Sequence, residues 1–144
     1  MKKIIIMALV FVLAFGGCVS TDPQIDPNLV TMKITEYSGE KTGFEIKNNS
    51  KDRVTFGEDY SLEFFNGEDW EEISEREETF FIAIAHVLET GDAFVSSVNL
   101  SARYGELSNG KYRIAKDIRF ENEDGVDCGG QRVYAEFEVT AKER

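Results

Sequence analysis

From Val30 to Val139 the chain repeats one pattern, apolar residues at every second position and then a short stretch containing Gly, Asn or Asp. Successive side chains of a strand point to opposite faces, so this alternation describes short strands, each with one buried and one solvated face. Val30, Met32 and Ile34 open the series, and Phe44 with Ile46 forms the second strand. Tyr60, Leu62 and Phe64 follow, and Asn66-Gly67 is read as a tight hairpin turn leading to Trp70 and Ile73. Phe80, Ile82 and Ile84 are read as another strand, after which the Thr90-Gly91 turn delivers Phe94, Val98 and Leu100. Tyr112, Ile114, Ile118 and Phe120 precede the closing strand of Val133, Ala135, Phe137 and Val139. No stretch of this region reads as a long helix. The expected fold class is all-β, an antiparallel β-sandwich of seven to eight strands with Greek-key connections.

The first residues obey a different rule. Lys2 and Lys3 precede an apolar run from Ile4 to Phe15, which is a signal-peptide core and falls short of the roughly 20 residues needed to span a bilayer. Phe15-Gly16-Gly17-Cys18 resembles the lipobox of bacterial lipoproteins, in which the cysteine thiol takes a diacylglycerol and the chain is cut before it. The expected organisation is a signal peptide over 1–17, the lipidated Cys18 and a tether through residue 28, and one domain over 29–144. Both prolines, Pro23 and Pro27, fall among the polar residues of that tether, as suits an extended leash. Localisation follows: the cell membrane, lipid-anchored, on its extracytoplasmic face. Acyl chains would be the only contact with lipid, two of them giving the stable anchoring that one does not.

Charge narrows the partners. The chain carries 16 basic against 27 acidic residues, a net charge of −11, and loss of Lys2 and Lys3 makes it more negative still. Nucleic acid and anionic headgroups are repelled by such a surface. Lipidation of Cys18 leaves Cys128 as the remaining cysteine, so no intramolecular disulfide is expected. With one free cysteine and one histidine, a zinc site of Cys and His ligands is also excluded, and no cofactor is expected. The domain must be held by packing.

One local motif sharpens the fold. Leu107-Ser108-Asn109-Gly110-Lys111-Tyr112 has the spacing of a tyrosine corner, with Gly110 as the turn and the Tyr112 hydroxyl tied back to backbone near Leu107. Further words accompany it: Lys47-Asn48-Asn49-Ser50, Gly57-Glu58-Asp59-Tyr60-Ser61-Leu62-Glu63, Asp69-Trp70, and Tyr104-Gly105-Glu106-Leu107 running into Gly110-Lys111-Tyr112-Arg113-Ile114. In this order they resemble the bacterial immunoglobulin-like domains of small Firmicutes lipoproteins, the group numbered fourteen. The resemblance implies an immunoglobulin-like sandwich and no particular activity.

Three constellations bear on function. Cys128 and His86 are the only thiol and imidazole that could act as nucleophile and base, and a transpeptidase would use such a pair; His86 shares parity with Ile82, Ile84 and Leu88, which makes it a half-buried structural residue instead. Glu121, Glu123, Asp124 and Asp127 crowd a hairpin loop around Gly125 and are weak calcium candidates, without the spacing of a twelve-residue calcium loop. Glu68, Asp69, Glu71, Glu72, Glu75, Glu77 and Glu78 surround Trp70, an acidic run that serves solubility, with the alternation placing Trp70 against the core. The expectation is a non-catalytic binding or interaction module of unknown protein or cell-wall partner, not an enzyme. A weak calcium or cell-wall ligand binder is the alternative.

Overall fold

The structure, a computed structural model, describes residue 26, residues 28–76 and residues 80–140. Cys18, the signal segment, most of the tether, Glu77 and Glu78 lie outside the described residues. The elements are β1 (Val30–Tyr37), β2 (Thr42–Asn48), β3 (Arg53–Phe56), β4 (Ser61–Phe65), β5 (Trp70–Glu72), β6 (His86–Leu88), β7 (Ala93–Val98), α1 (Leu100–Tyr104), β8 (Gly110–Glu121) and β9 (Asp127–Val139). The fold is an all-β antiparallel sandwich. A small sheet has the order β1-β2-β7; the large sheet runs β5-β4-β8-β3-β6, with β9 along the other side of β8.

Apolar residues of the two sheets meet between them: Val30, Phe44 and Ile46 from the small sheet, Val54, Leu62, Ile114, Ile118, Val133 and Ala135 from the large one. Burial of this surface is the main force holding the sheets together. At the corner where the chain passes from β2 to β3, the fully buried Asn48 makes the crossing tolerable. Its amide nitrogen donates to the Asp52 and Leu88 carbonyls at 2.9 and 3.0 Å, and its oxygen accepts from the Ser50 N–H and hydroxyl at 2.9 and 2.7 Å. A buried amide with all these bonds made costs little; left unpaired, it would cost about 1–3 kcal/mol.

Among the described residues nine strands stand where seven or eight were expected: β3 and β6 are added, the expected strand at Phe80–Ile84 is absent, and β3 and β4 share one partner. β3 pairs with Ile118–Glu121 and β4 with Tyr112–Ala115, both on the same side of β8. Three local expectations change. The Asn66-Gly67 turn is a four-residue loop, since Phe65 pairs with Trp70; the Asn66 oxygen accepts from the N–H groups of Glu68 and Asp69, and Gly67 takes the positive φ. Leu100 begins α1 and does not extend β7, because Asn99 caps a helix there by accepting from the Ala102 N–H at 2.9 Å. Phe80, Ile82 and Ile84 lie in no strand and are exposed.

Candidate functional site

The interruption between β3 and β4 organises the molecule's least regular region. Phe56 pairs with Ile118 and Ser61 with Ala115, so the four residues 57–60 stand opposite only Lys116 and Asp117 and leave the ladder. Lys116 falls on the inward face of β8, between Ile114 and Ile118, and is almost fully buried. Its ammonium donates to the Gly57 and Asp59 carbonyls at 2.9 and 2.7 Å, groups that a continuous ladder would have paired. Burial lowers the Lys116 pKa, the nearby Asp59 and Glu58 opposing the shift.

The neighbouring edge is broken at the same level. β5 pairs with β4 and β6 with β3, and between them residues 73–76 and 80–85 lie outside the sheet. Arg103 of α1 holds this excursion from behind. Its guanidinium lies 4.3 Å from the ring centres of both Tyr60 and Phe81 and pairs with Glu75, while the Arg103 carbonyl accepts from the Arg76 N–H at 3.0 Å. Burial pushes Arg103 down, but Glu75, Tyr60 and Tyr104 together outweigh it and the net shift is upward; burial also raises Tyr60 and Tyr104. A cleft of about 270 Å³ opens here, walled by Tyr60, Phe81, Arg103, Lys116 and Arg132 together with three carboxylates, Asp59, Glu72 and Asp117.

In front of Phe81 the chain exposes apolar side chains. Phe80 is 88 % exposed and Ile82 73 %, with Ile84 and Val87 about half exposed. Among the described residues the one backbone bond within 80–85 runs from the Ile84 N–H to the Ile82 carbonyl. The alternation suggested a half-buried strand, yet the intervening residues, Phe81, Ala83 and Ala85, are apolar too. A strand with one solvated face would carry polar residues there, so the signal against the strand was legible. Lys116 also had a signal: it interrupts the run Tyr112, Ile114, Ile118, Phe120 at the inward parity. Nothing in the sequence pointed to Arg103.

The residues singled out by sequence are dispersed. The Tyr112 hydroxyl donates to the Ser108 carbonyl at 2.9 Å, Leu107 packs against the core, and Gly110 has φ +153° with Phe64 so close that a Cβ would sit 2.5 Å from its ring. Trp70 is not in the core. It lies on the outer face of the large sheet, against Phe65 at 5.2 Å and the Arg113 guanidinium at 4.4 Å, because its ladder partner Phe65 follows the inward Phe64. Arg113 also stacks on Tyr134 and donates to Glu63 at 2.5 Å.

The acidic loop does not converge. Asn122 closes it on its own backbone, accepting from the Asp124 and Val126 N–H groups; Glu121 accepts from Thr55, and Asp127 from the Gly129 N–H and Arg119. Among the described residues no three His, Cys, Asp or Glu side chains, Glu123 and Asp124 included, are grouped to hold a metal ion. His86 packs on Phe94 and Phe56 and is bonded to Glu58. β3 and β8 lie between it and the β9 strand of Cys128. At about 4.8 Å per strand the two backbones are on the order of 14 Å apart, so the pair is not assembled. No helix among the described residues is long and apolar enough to cross a membrane.

Comparison with known proteins places this geometry. Residues 26–140 match the model of a family described as a bacterial Ig-like domain. No curated protein is similar in sequence. Among solved structures, the ASH/PapD-like domain 7 of human CEP192 is 14 % identical, with 99 % of this chain and 100 % of that one covered and a TM-score of 0.39. The archaellum periplasmic stator protein FlaG of Sulfolobus acidocaldarius is 11 % identical over 77 % of this chain and 100 % of that one, with a TM-score of 0.37. Likenesses this loose transfer neither role nor partner.

Proposed function

The chain belongs to the bacterial Ig-like domain family, and from that premise we propose that it is a non-catalytic interaction module, tethered by lipid on Cys18 to the extracytoplasmic face of the cell membrane. The observation that carries the interaction reading is the exposure of four apolar side chains, Phe80, Ile82, Ile84 and Val87, close together in the chain. Contiguous exposed apolar surface is unfavourable in water, and a domain that retains it in one place generally uses it for contact. The tether rests on the lipobox-like Phe15-Gly16-Gly17-Cys18 and the short apolar run before it.

Two experiments test the two halves. Cells fed a radioactive fatty acid should label the wild-type chain and not Cys18→Ser; equal labelling of both rejects the anchor. A photo-crosslinking residue placed at Ile82 should give an adduct of defined mass in living cells, and the same residue at the exposed Val95 of β7 should give none. Absence of any adduct from position 82 rejects the interaction site.

A further inference from the structure

We propose that the cleft walled by Tyr60, Phe81, Arg103 and Lys116 binds a small α-amino acid, its carboxylate held by the buried cations and its ammonium by Glu72 and Asp117 at the mouth. This site is distinct from the exposed side chains of Phe80, Ile82, Ile84 and Val87 and does not depend on the interaction reading.

The cleft of about 270 Å³ has the volume of roughly nine water molecules at about 30 Å³ each, room for a small organic molecule and not for a peptide strand. Two cations in its wall are deeply buried, Lys116 at 4 % exposed and Arg103 at 9 %. Lys116 gives two of its three N–H groups to the Gly57 and Asp59 carbonyls and forms no ion pair among the described residues. Arg103 uses Nη2 on Glu75, while its Nε and Nη1, together with the Nε of Arg132, are enclosed without a hydrogen-bond partner. Buried donors in folded proteins are nearly always bonded, so three unmet N–H groups at one cleft point to an acceptor that the chain does not itself supply. Phe81 covers Arg103 but belongs to a segment with a single backbone bond, so its ring can turn aside without breaking a ladder.

Charge selects the occupant. A simple anion is disfavoured, because Asp59, Glu72 and Asp117 also line the cleft and the whole chain carries a net charge of −11. Glu72 and Asp117 are 64 % and 70 % exposed, which puts them at the mouth. With Glu63 they share the Arg132 guanidinium at 3.6 Å each, and Glu63 is also bonded to Arg113. Three carboxylates against two guanidinium groups leave one negative charge for an incoming ammonium. Cations inside and surplus acid outside match a molecule that carries both signs. The Tyr60 and Phe81 rings supply an apolar wall for its side chain.

The test titrates the full-length chain in detergent with glycine, L-alanine and L-leucine and follows the nitrogen–proton resonance of the Arg103 Nε. A saturable shift with a dissociation constant below about 1 mM is expected for at least one of them, leucine binding best. Leucinamide, which lacks the carboxylate, and isocaproate, which lacks the ammonium, should each bind at least about tenfold more weakly than leucine. The double variant Glu72→Gln/Asp117→Asn, altered only at exposed side chains, should weaken leucine at least about threefold and leave isocaproate no weaker. Arg103→Lys should abolish binding, and thermal melts establish that each variant is folded. Absence of a saturable shift with all three amino acids up to about 10 mM overturns the proposal. So does isocaproate or leucinamide binding as tightly as leucine, or leucine binding that is unchanged in the double variant.

Discussion

Along one side of β8 the β9 strand is paired from Gly110 with Val139 to Glu121 with Asp127, with a single register shift near the end. Along the other side β3 and β4 divide the same strand between them, and residues 57–60 leave it. The unbroken side closes its backbone accounts within the ladder. On the broken side side chains take over: Lys116 caps two carbonyls, and Arg103 fills the gap between two aromatic rings. Regular pairing leaves nothing to present to a partner. The break allows residues 80–85 to stand away from the sheet, with Phe80, Ile82 and Ile84 exposed to water, and the site proposed above lies there.

Four substitutions would break or sharpen this contrast. Gly110→Val, at the start of the unbroken strand, should be the most disruptive, about 3 kcal/mol, because the new side chain meets Phe64 in a backbone region that disfavours any Cβ. Urea unfolding reads it, and a change under about 1 kcal/mol would remove Gly110 from the tyrosine corner. Lys116→Met should cost about 2 kcal/mol by leaving the Gly57 and Asp59 carbonyls unpaired inside the protein. If it is neutral, the broken side does not depend on its ammonium.

The same variant has a pH signature. Because burial lowers the folded pKa of Lys116 below its ordinary 10.5, the unfolded chain holds more protons between those two values, and wild-type stability gains a component that rises with pH across that window. Lys116→Met should lose that component. Tyr60 and Tyr104, raised by burial, add the opposite slope only above their ordinary 10. Denaturant midpoints measured in alkaline buffers below pH 10 decide it.

Tyr112→Phe should cost about 1 kcal/mol, the worth of one hydrogen bond to the Ser108 carbonyl, with the fold unchanged. Ile82→Asp should alter stability by no more than about 0.5 kcal/mol, since the side chain is already in water. A loss of several kcal/mol there would mean that the strip supports the sandwich and is not a free surface.

Much of the architecture was readable because antiparallel strands with one wet face impose a period of two on the sequence. Val30 to Ile34, Phe44 to Ile46, Tyr112 to Phe120 and Val133 to Val139 all show it, and all are strands facing one core. The tyrosine-corner spacing was readable for a related reason, since its partners lie four residues apart and need only a local turn. Parity, however, does not reveal where a ladder stops. Phe80 to Ile84 have the period of a strand but no neighbour to pair with, and Trp70 has the hydrophobicity of a core residue on the face that points outward. The unbroken apolar run of residues 80–85 already argued against a half-buried strand, whereas the placement of Trp70 depends on which residue lies alongside, a long-range property absent from local pattern. Sequence by itself therefore determined the class of fold, the acidic surface and the strands that bury apolar faces. Only the tertiary structure decided that β3 and β4 would share β8, that Lys116 and Arg103 would seal the break, and that the apolar strip would remain in water, because backbone groups displaced from a ladder must find partners wherever the rest of the chain happens to bring them.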